Sequence, residues 1–205
     1  MRLGGFTSTS FCDYPGRVAS VIFTQGCNFS CPFCHNASLL TERADGYLDP
    51  DAVFKSLEAR RHRMRAVVVT GGEPTIHNDL PEFLAALRGL DLKIKLDTNG
   101  SRPEMLRRII DRNLIDALAM DVKAPWCKYS ELTGVAVDIP AILESVQLIA
   151  ASGLEHLFRT TFVECLLTTN DLDAIRRALP DGEALVVQTF KPEHALASWL
   201  RQPTP

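Results

Sequence analysis

The chain has 205 residues, 46% of them hydrophobic and 23% charged, with a formal net charge of −3. This is the composition of an ordinary water-soluble globule, long enough to bury about 70% of its unfolded surface as one domain over residues 1–205. The weak acidic balance gives no electrostatic reason for a nucleic-acid or anionic-membrane partner, and no apolar run approaches the ~20 residues of a membrane span. The opening Met1-Arg2-Leu3-Gly4-Gly5-Phe6 lacks the apolar core of a signal peptide, which predicts a cytoplasmic chain. In that reducing compartment, clustered cysteines point to metal or redox chemistry rather than to disulfides.

Residues 18–25 read as a buried strand, because Val18, Ala19, Val21, Ile22 and Phe23 make a nearly continuous, β-branched apolar run. Asp49-Pro50-Asp51 then carries a cap residue and an early proline, predicting a helix over 51–63. Its basic end, Arg60-Arg61-His62-Arg63-Met64-Arg65, complements the helix dipole. A second strand at 66–70 is followed by a helix opening at Asp79-Leu80-Pro81-Glu82, with Leu80, Phe83, Leu84 and Leu87 on one face. A third strand at 94–97 leads to a helix from Ser101-Arg102-Pro103-Glu104 to about Arg112. Strands at 117–121, 156–162 and 184–188 alternate with helices at 138–152, 171–179 and 193–201, and residues 202–205 are expected to fray.

Six β–α units with short connections predict an α/β fold with a mainly parallel sheet. A full eight-unit barrel usually needs ~250 residues, so the expectation is an incomplete (β/α)6 barrel of the TIM type. A flat doubly wound sheet is the structural alternative. In either case the polar motifs fall at strand C-termini and converge on one mouth of the sheet. The first strand ends in a cysteine loop, the second in Thr70-Gly71-Gly72-Glu73-Pro74, and the third in Asp97-Thr98-Asn99-Gly100. The fourth ends in Asp121-Val122-Lys123, the fifth carries Arg159, and the sixth runs into Lys191 and His194.

The cysteine loop, Gly26-Cys27-Asn28-Phe29-Ser30-Cys31-Pro32-Phe33-Cys34-His35-Asn36, holds a C-x3-C-x2-C triplet. Cubane iron–sulfur clusters normally take four cysteines, so three leave one iron with an open position where a ligand can bind. Three other chemistries are consistent with parts of the run. Cys31-Pro32-Phe33-Cys34-His35 matches c-type haem attachment but leaves Cys27 unexplained. Zinc needs a fourth ligand that His35, next to Cys34, is poorly placed to give. A thioredoxin-like pair accounts for the second and third cysteines alone.

Among the other motifs, Gly71-Gly72 admits close backbone approach and Glu73 can accept from an ammonium group, or the three simply make a tight turn. Asp97 and Asp121 can share a cation or ligand hydroxyls, or merely cap strand ends. Lys123 can meet a carboxylate, and Phe33 can stack on an aromatic ligand or pack its loop. Cys12, Cys127 and Cys165 show no ligand spacing and are expected to pack in the interior.

The cysteine triplet with Phe33 inside it, and Gly71-Gly72-Glu73-Pro74 on the second strand, resemble the signatures of the radical S-adenosylmethionine (radical SAM) superfamily. Asp13-Tyr14-Pro15-Gly16-Arg17, Phe23-Thr24-Gln25-Gly26-Cys27, Cys34-His35-Asn36, Asp97-Thr98-Asn99-Gly100 and Asp121-Val122-Lys123 resemble the glycyl-radical-enzyme activating proteins. Within that family, the stretch from Leu3 to Asn36 is most similar to the activators of anaerobic ribonucleoside-triphosphate reductase.

The resemblance implies a [4Fe–4S] cluster on Cys27, Cys31 and Cys34, whose fourth iron takes the amino and carboxyl groups of S-adenosylmethionine. It implies that Gly72 and Glu73 contact the amino group, that Phe33 and His35 lie by the adenine, and that Asp121-Val122-Lys123 and His194 bind ribose and carboxylate, with Lys191 a competitor for the last role. It further implies a monovalent cation at Asp97, Thr98 and Asp121, and a role for Asp13 in seating the substrate's glycine loop. The implied reaction is reductive cleavage of S-adenosylmethionine to methionine and a 5′-deoxyadenosyl radical, which takes a hydrogen atom from a glycine of a partner glycyl radical enzyme. A flavodoxin or ferredoxin-like protein would supply the electron. No cysteine lies between Cys34 and Cys127 to hold a second cluster, so a minimal activase is expected. A small-molecule enzyme of the 7-carboxy-7-deazaguanine synthase type, and a non-catalytic iron–sulfur electron carrier, are the alternatives.

Overall fold

The protein is described by a computed structural model over residues 1–41 and 46–201. The tail expected to fray, 202–205, lies outside the described residues. All six expected strands form, with small shifts at their ends, and a seventh precedes them: β1 (Leu3–Tyr14), β2 (Arg17–Thr24), β3 (Ala66–Gly71), β4 (Lys93–Thr98), β5 (Ala117–Asp121), β6 (Glu155–Phe162) and β7 (Leu185–Thr189). The sheet order follows the chain from β1 to β7. β2 to β7 run parallel, and β1 pairs antiparallel with β2. A doubly wound sheet would reverse its strand order at a switch point. A sheet wound steadily in one direction curls into a barrel instead, and here the curl stops short of closure, leaving a half-barrel with β1 and β7 as its edges.

The helices follow from their caps. α1 (Pro50–Arg60) starts where the Asp49 carboxylate accepts from Asp51 N–H at 3.0 Å, and α2 (Leu80–Arg88) buries Leu80, Phe83, Leu84 and Leu87 on one face. α3 (Pro103–Asp111) begins on a proline. A short α4 (Tyr129–Thr133), not anticipated from the pattern, ends where Gly134 adopts φ +69. α5 (Ile139–Ala150) is capped by Asp138, and α6 (Thr169–Ala178) by a reciprocal Thr168–Asp171 box.

Two expectations need correction. The closing helix over 193–201 is absent, and two 3₁₀ turns, Pro192–His194 and Ser198–Leu200, stand in its place. Between them Ala195 is buried and Ala197 N–H donates to Pro32 O at 2.9 Å, so tertiary bonding to the cysteine loop holds the backbone extended. Cys12, Cys127 and Cys165 are exposed rather than packed, because they sit on an edge strand and on loops beyond β5 and β6.

Burial divides into two layers. On the convex side the helices cover Ile22, Val67, Val69, Ile94, Leu96 and Leu118, part of one large core. On the concave side a smaller cluster of Tyr14, Ala19, Val21, Ala66, Val68 and Ala117 fills the lower lumen. Strands buried on both faces lose the alternation of a half-exposed strand, which is why they read as continuous apolar runs. Three of these six concave positions are alanines. No helix among the described residues is long and apolar enough to cross a membrane.

Candidate active site

β2 delivers the chain into the cysteine loop through Gly26, whose φ of +95 a side chain would strain. The loop is tied down along its length. Gly26 N–H donates to Leu39 O at 2.7 Å, Ser30 N–H to Thr133 O at 2.8 Å, and Cys34 N–H to Cys31 O at 3.0 Å. Phe29 N–H donates to Cys27 Sγ at 3.4 Å, so one sulfur already accepts a main-chain bond that favours its thiolate. From beyond β7, Lys191 N–H donates to His35 Nε2 at 3.2 Å, and Phe190 stacks on the His35 ring with centroids 5.6 Å apart.

β3 ends in Gly71-Gly72-Glu73, pressed against this loop. Gly72 N–H donates to Thr24 O at 2.9 Å and Glu73 N–H to Gly26 O at 2.8 Å. A Cβ at Gly72 would lie 1.9 Å from Gly26 O, and Gly71 has φ +121, so neither position admits a side chain. The Glu73 carboxylate is 1% exposed and fully engaged. Its Oε1 accepts from Thr75 N–H at 3.0 Å, Thr75 Oγ1 at 2.5 Å and Thr98 Oγ1 at 2.7 Å, and its Oε2 from Asn99 N–H at 2.6 Å. Burial raises its pKa, and these bonds act in the opposite sense. Glu73 thus clamps the end of β3 to the end of β4. Asn99 Nδ2 carries the link on to Asn28 Oδ1 at 2.9 Å, inside the cysteine loop.

The strand ends enclose a cavity of about 220 Å³. It gathers Cys27, Cys31, Cys34, Phe33 and His35 from the loop with Gly72, Glu73, Asp97, Thr98, Asp121 and Lys123 from the strands. Arg159, Thr161 and Gln188 also face it; the sequence marks Arg159 by its strand end, whereas Thr161 and Gln188 sit among other polar residues of β6 and β7 and carry no motif. Three anticipated residues are not brought in. The Val122 side chain is buried in the convex core, and His194 stands outside, its ring centroid 6.4 Å from that of His35. Asp13 lies beside the β1–β2 turn, where Tyr14 pairs with Arg17, at the end of β2 away from the cysteine loop, and accepts from Ser10 Oγ.

Burial pushes the Cys27 thiol up to about 12, aided by the Glu73 charge, and the Cys31 thiol up to about 11. Such thiols ionise readily only against a strongly cationic partner. Among the described residues no three His, Cys, Asp or Glu side chains are spaced to hold a single metal ion. Three thiols facing one cavity fit a multi-iron cluster, whose irons each take one thiolate. Asp121, against the effect of burial, is held down to about 2 by Arg159 and Lys123, and Asp121 in turn holds Lys123 above the usual lysine value despite burial.

The donor set for a monovalent cation fits less well. Arg159 bridges the two aspartates, with Nε 2.9 Å from Asp121 Oδ1 and Nη1 3.4 Å from Asp97 Oδ2.

Comparison with known proteins agrees with the cluster reading. A Methanocaldococcus jannaschii protein, named as a candidate glycyl-radical enzyme activating enzyme, is 31% identical over 198 residues, covering 94% of this chain and 81% of its own length. A Thermococcus kodakarensis protein, named as a candidate GTP 3′,8-cyclase, is 29% identical over 131 residues, 62% of this chain and 41% of the relative. The crystal structure of Streptococcus suis SuiB bound to the precursor peptide SuiA shares the fold, with a TM-score of 0.67 at 16% identity over 86% of this chain and 40% of SuiB. This chain therefore spans less than half of the cyclase relative and of SuiB. The family model described as the Radical SAM superfamily matches residues 21–179, from within β2 to just past α6. That stretch includes the cysteine loop and every strand end that lines the cavity except that of β7, and on this ground the chain belongs to the radical SAM superfamily.

Proposed function

We propose that this radical SAM enzyme is a single-domain activase that installs a glycyl radical on a partner enzyme, an anaerobic ribonucleoside-triphosphate reductase. The observation that carries the reading is the 31% identity to a candidate glycyl-radical enzyme activating enzyme along 94% of this chain. The superfamily implies a [4Fe–4S] cluster and S-adenosylmethionine. When bound, they supply a 5′-deoxyadenosyl radical, formed together with methionine as one electron enters and the sulfur–C5′ bond breaks.

The chain's own residues have defined tasks in this reading. Cys27, Cys31 and Cys34 hold the cluster, and the backbone at Gly72 receives the methionyl amino group, since the Glu73 carboxylate is already saturated. Lys123 meets the carboxylate as a point charge, and Phe33 and His35 flank the adenine. In this reading the partner's glycine loop would enter at the open side of the half-barrel, between β1 and β7, since the reaction needs a glycine Cα–H within near-attack distance of the radical carbon. A flavodoxin or ferredoxin-like protein delivers the electron.

The cyclase relatives favour a rival reading, a small-molecule radical enzyme. One experiment separates the two. The reconstituted enzyme, dithionite, S-adenosylmethionine and a purified candidate reductase are incubated without oxygen and examined by electron spin resonance. An organic doublet on the reductase, with 5′-deoxyadenosine formed alongside, is expected. Cofactor cleavage with no radical on any glycyl radical enzyme tested would sink the activase reading and leave superfamily membership intact.

A further inference from the structure

Two aspartates at neighbouring strand ends ordinarily invite a cation, and by resemblance Asp97, Thr98 and Asp121 match such a site. In this chain each of their four carboxylate oxygens has its own protein donor. Lys95 Nζ donates to Asp97 Oδ1, and Arg159 Nη1 to Asp97 Oδ2 at 3.4 Å. Arg159 Nε donates to Asp121 Oδ1 at 2.9 Å, and Lys123 Nζ to Asp121 Oδ2 at 3.1 Å. Thr98 Oγ1 is committed as well, donating to Glu73 Oε1 at 2.7 Å and accepting from Gly100 N–H at 3.1 Å.

The arrangement is built into the sheet. Lys95 and Asp97 project from one face of β4, and Lys95 is 2% exposed, paired in register between Val68 and Ala117 on the concave side. Asp121 and Arg159 are register partners on β5 and β6, so the guanidinium starts beside one carboxylate and reaches across Ala119 toward the other. Ala119 offers only a methyl group there. Three cationic groups face two carboxylates, so the cluster already carries one surplus positive charge. An entering potassium or sodium ion would have to displace a charge-assisted donor from each aspartate and then stand next to a guanidinium.

We propose that the Asp97–Asp121 pair is closed to metal cations in this protein, with the Arg159 guanidinium occupying the bridging position that a monovalent ion would take. Arg159 is thereby a positioning residue that aligns both carboxylates and Lys123 beside the cavity. Cofactor binding then needs no potassium or sodium, whether the radical goes to a protein glycine or to a small molecule.

The test uses cluster-loaded protein in choline buffer, titrated with thallium(I), a potassium surrogate, and followed by calorimetry and thallium resonance. The wild type is expected to show no saturable binding into the millimolar range. Its S-adenosylmethionine dissociation constant should change by no more than about twofold between choline and potassium at matched ionic strength. Arg159→Gln should gain a thallium site that a further Asp97→Asn change removes, and its cofactor affinity should become potassium-dependent by about tenfold. Arg159→Lys, which keeps a cation in place, should gain none. Saturable binding of one thallium by the wild type, lost on Asp97→Asn, would overturn the proposal, as would a folded Arg159→Gln protein that binds no thallium. The wild-type titration is decisive even where a variant fails to fold, and none of these readings depends on glycyl radical formation.

Discussion

Cys31 is the most enclosed of the three clustered cysteines, 6% exposed and part of the convex core, yet its sulfur faces the cavity. Removing one small sulfur from that position leaves the loop's main-chain bonds to Glu73, Thr133 and Leu39 in place. Cys31→Ala should therefore keep the native far-ultraviolet dichroism while losing the iron, the sulfide and the visible absorbance after anaerobic reconstitution. A full complement of iron and sulfide in the variant would remove Cys31 from the ligand set. Lys123 makes a separate case. Its Nζ lies 3.1 Å from Asp121 Oδ2, but Asp121 is also held by Arg159, so Lys123→Met leaves no carboxylate unpaired. Losing one charge-assisted contact to a ligand carboxylate, worth about 1.5–3 kcal/mol, should raise the apparent KM for S-adenosylmethionine roughly 10- to 100-fold and leave kcat nearly unchanged. An unaltered KM would exclude Lys123 from the cofactor contact.

At the level of elements, the site depends on how β3's exit is fitted to the cysteine loop. The glycine pair reads from the sequence as a place where a ligand approaches the backbone, but the closest neighbour of Gly72 is the protein's own Gly26 carbonyl. Gly72→Ala should push that carbonyl away, cost about 1–3 kcal/mol in urea unfolding, and lower cluster occupancy although every cysteine remains. Normal iron content in a stable Gly72→Ala protein would show that the two loops move independently. The parallel strands were legible beforehand because burial on both faces leaves uninterrupted runs such as Val67-Val68-Val69. β1 was not, since Gly4, Gly5, Ser8, Thr9 and Ser10 dilute its apolar pattern and three register shifts interrupt its pairing. The cysteine spacing is local in the chain and was readable as such. The Arg159 bridge, the Glu73 clamp and the Asn28–Asn99 link were not, because they depend on register between strands far apart in sequence.

Across the whole molecule the two ends of the half-barrel divide the work, chemistry at the strand C-termini and stability at the N-termini. Asp116, just before β5, anchors the stabilising end. It accepts from Arg88 Nη1, Lys93 Nζ and Ile94 N–H, each at 2.8 Å, joining the end of α2 to the start of β4. Burial tends to raise its pKa, but the bonds from Lys93, Ile94 and Arg88 outweigh that and hold the carboxyl below the usual aspartate value. A carboxyl depressed in the folded state contributes stability that is fully present above its unfolded pKa of about 3.9 and is lost as pH falls through the lower folded value. Asp116→Asn should therefore cost about 1–3 kcal/mol in urea unfolding at neutral pH, and the gap from wild type should narrow below about pH 4. Because the residue is remote from the cavity, the iron content and the S-adenosylmethionine affinity of the folded variant should match those of the wild type. A stability gap that stays constant down to pH 3 would show that the Asp116 charge does not hold this end together, and a lost cluster in the folded variant would show that the two ends are not separate.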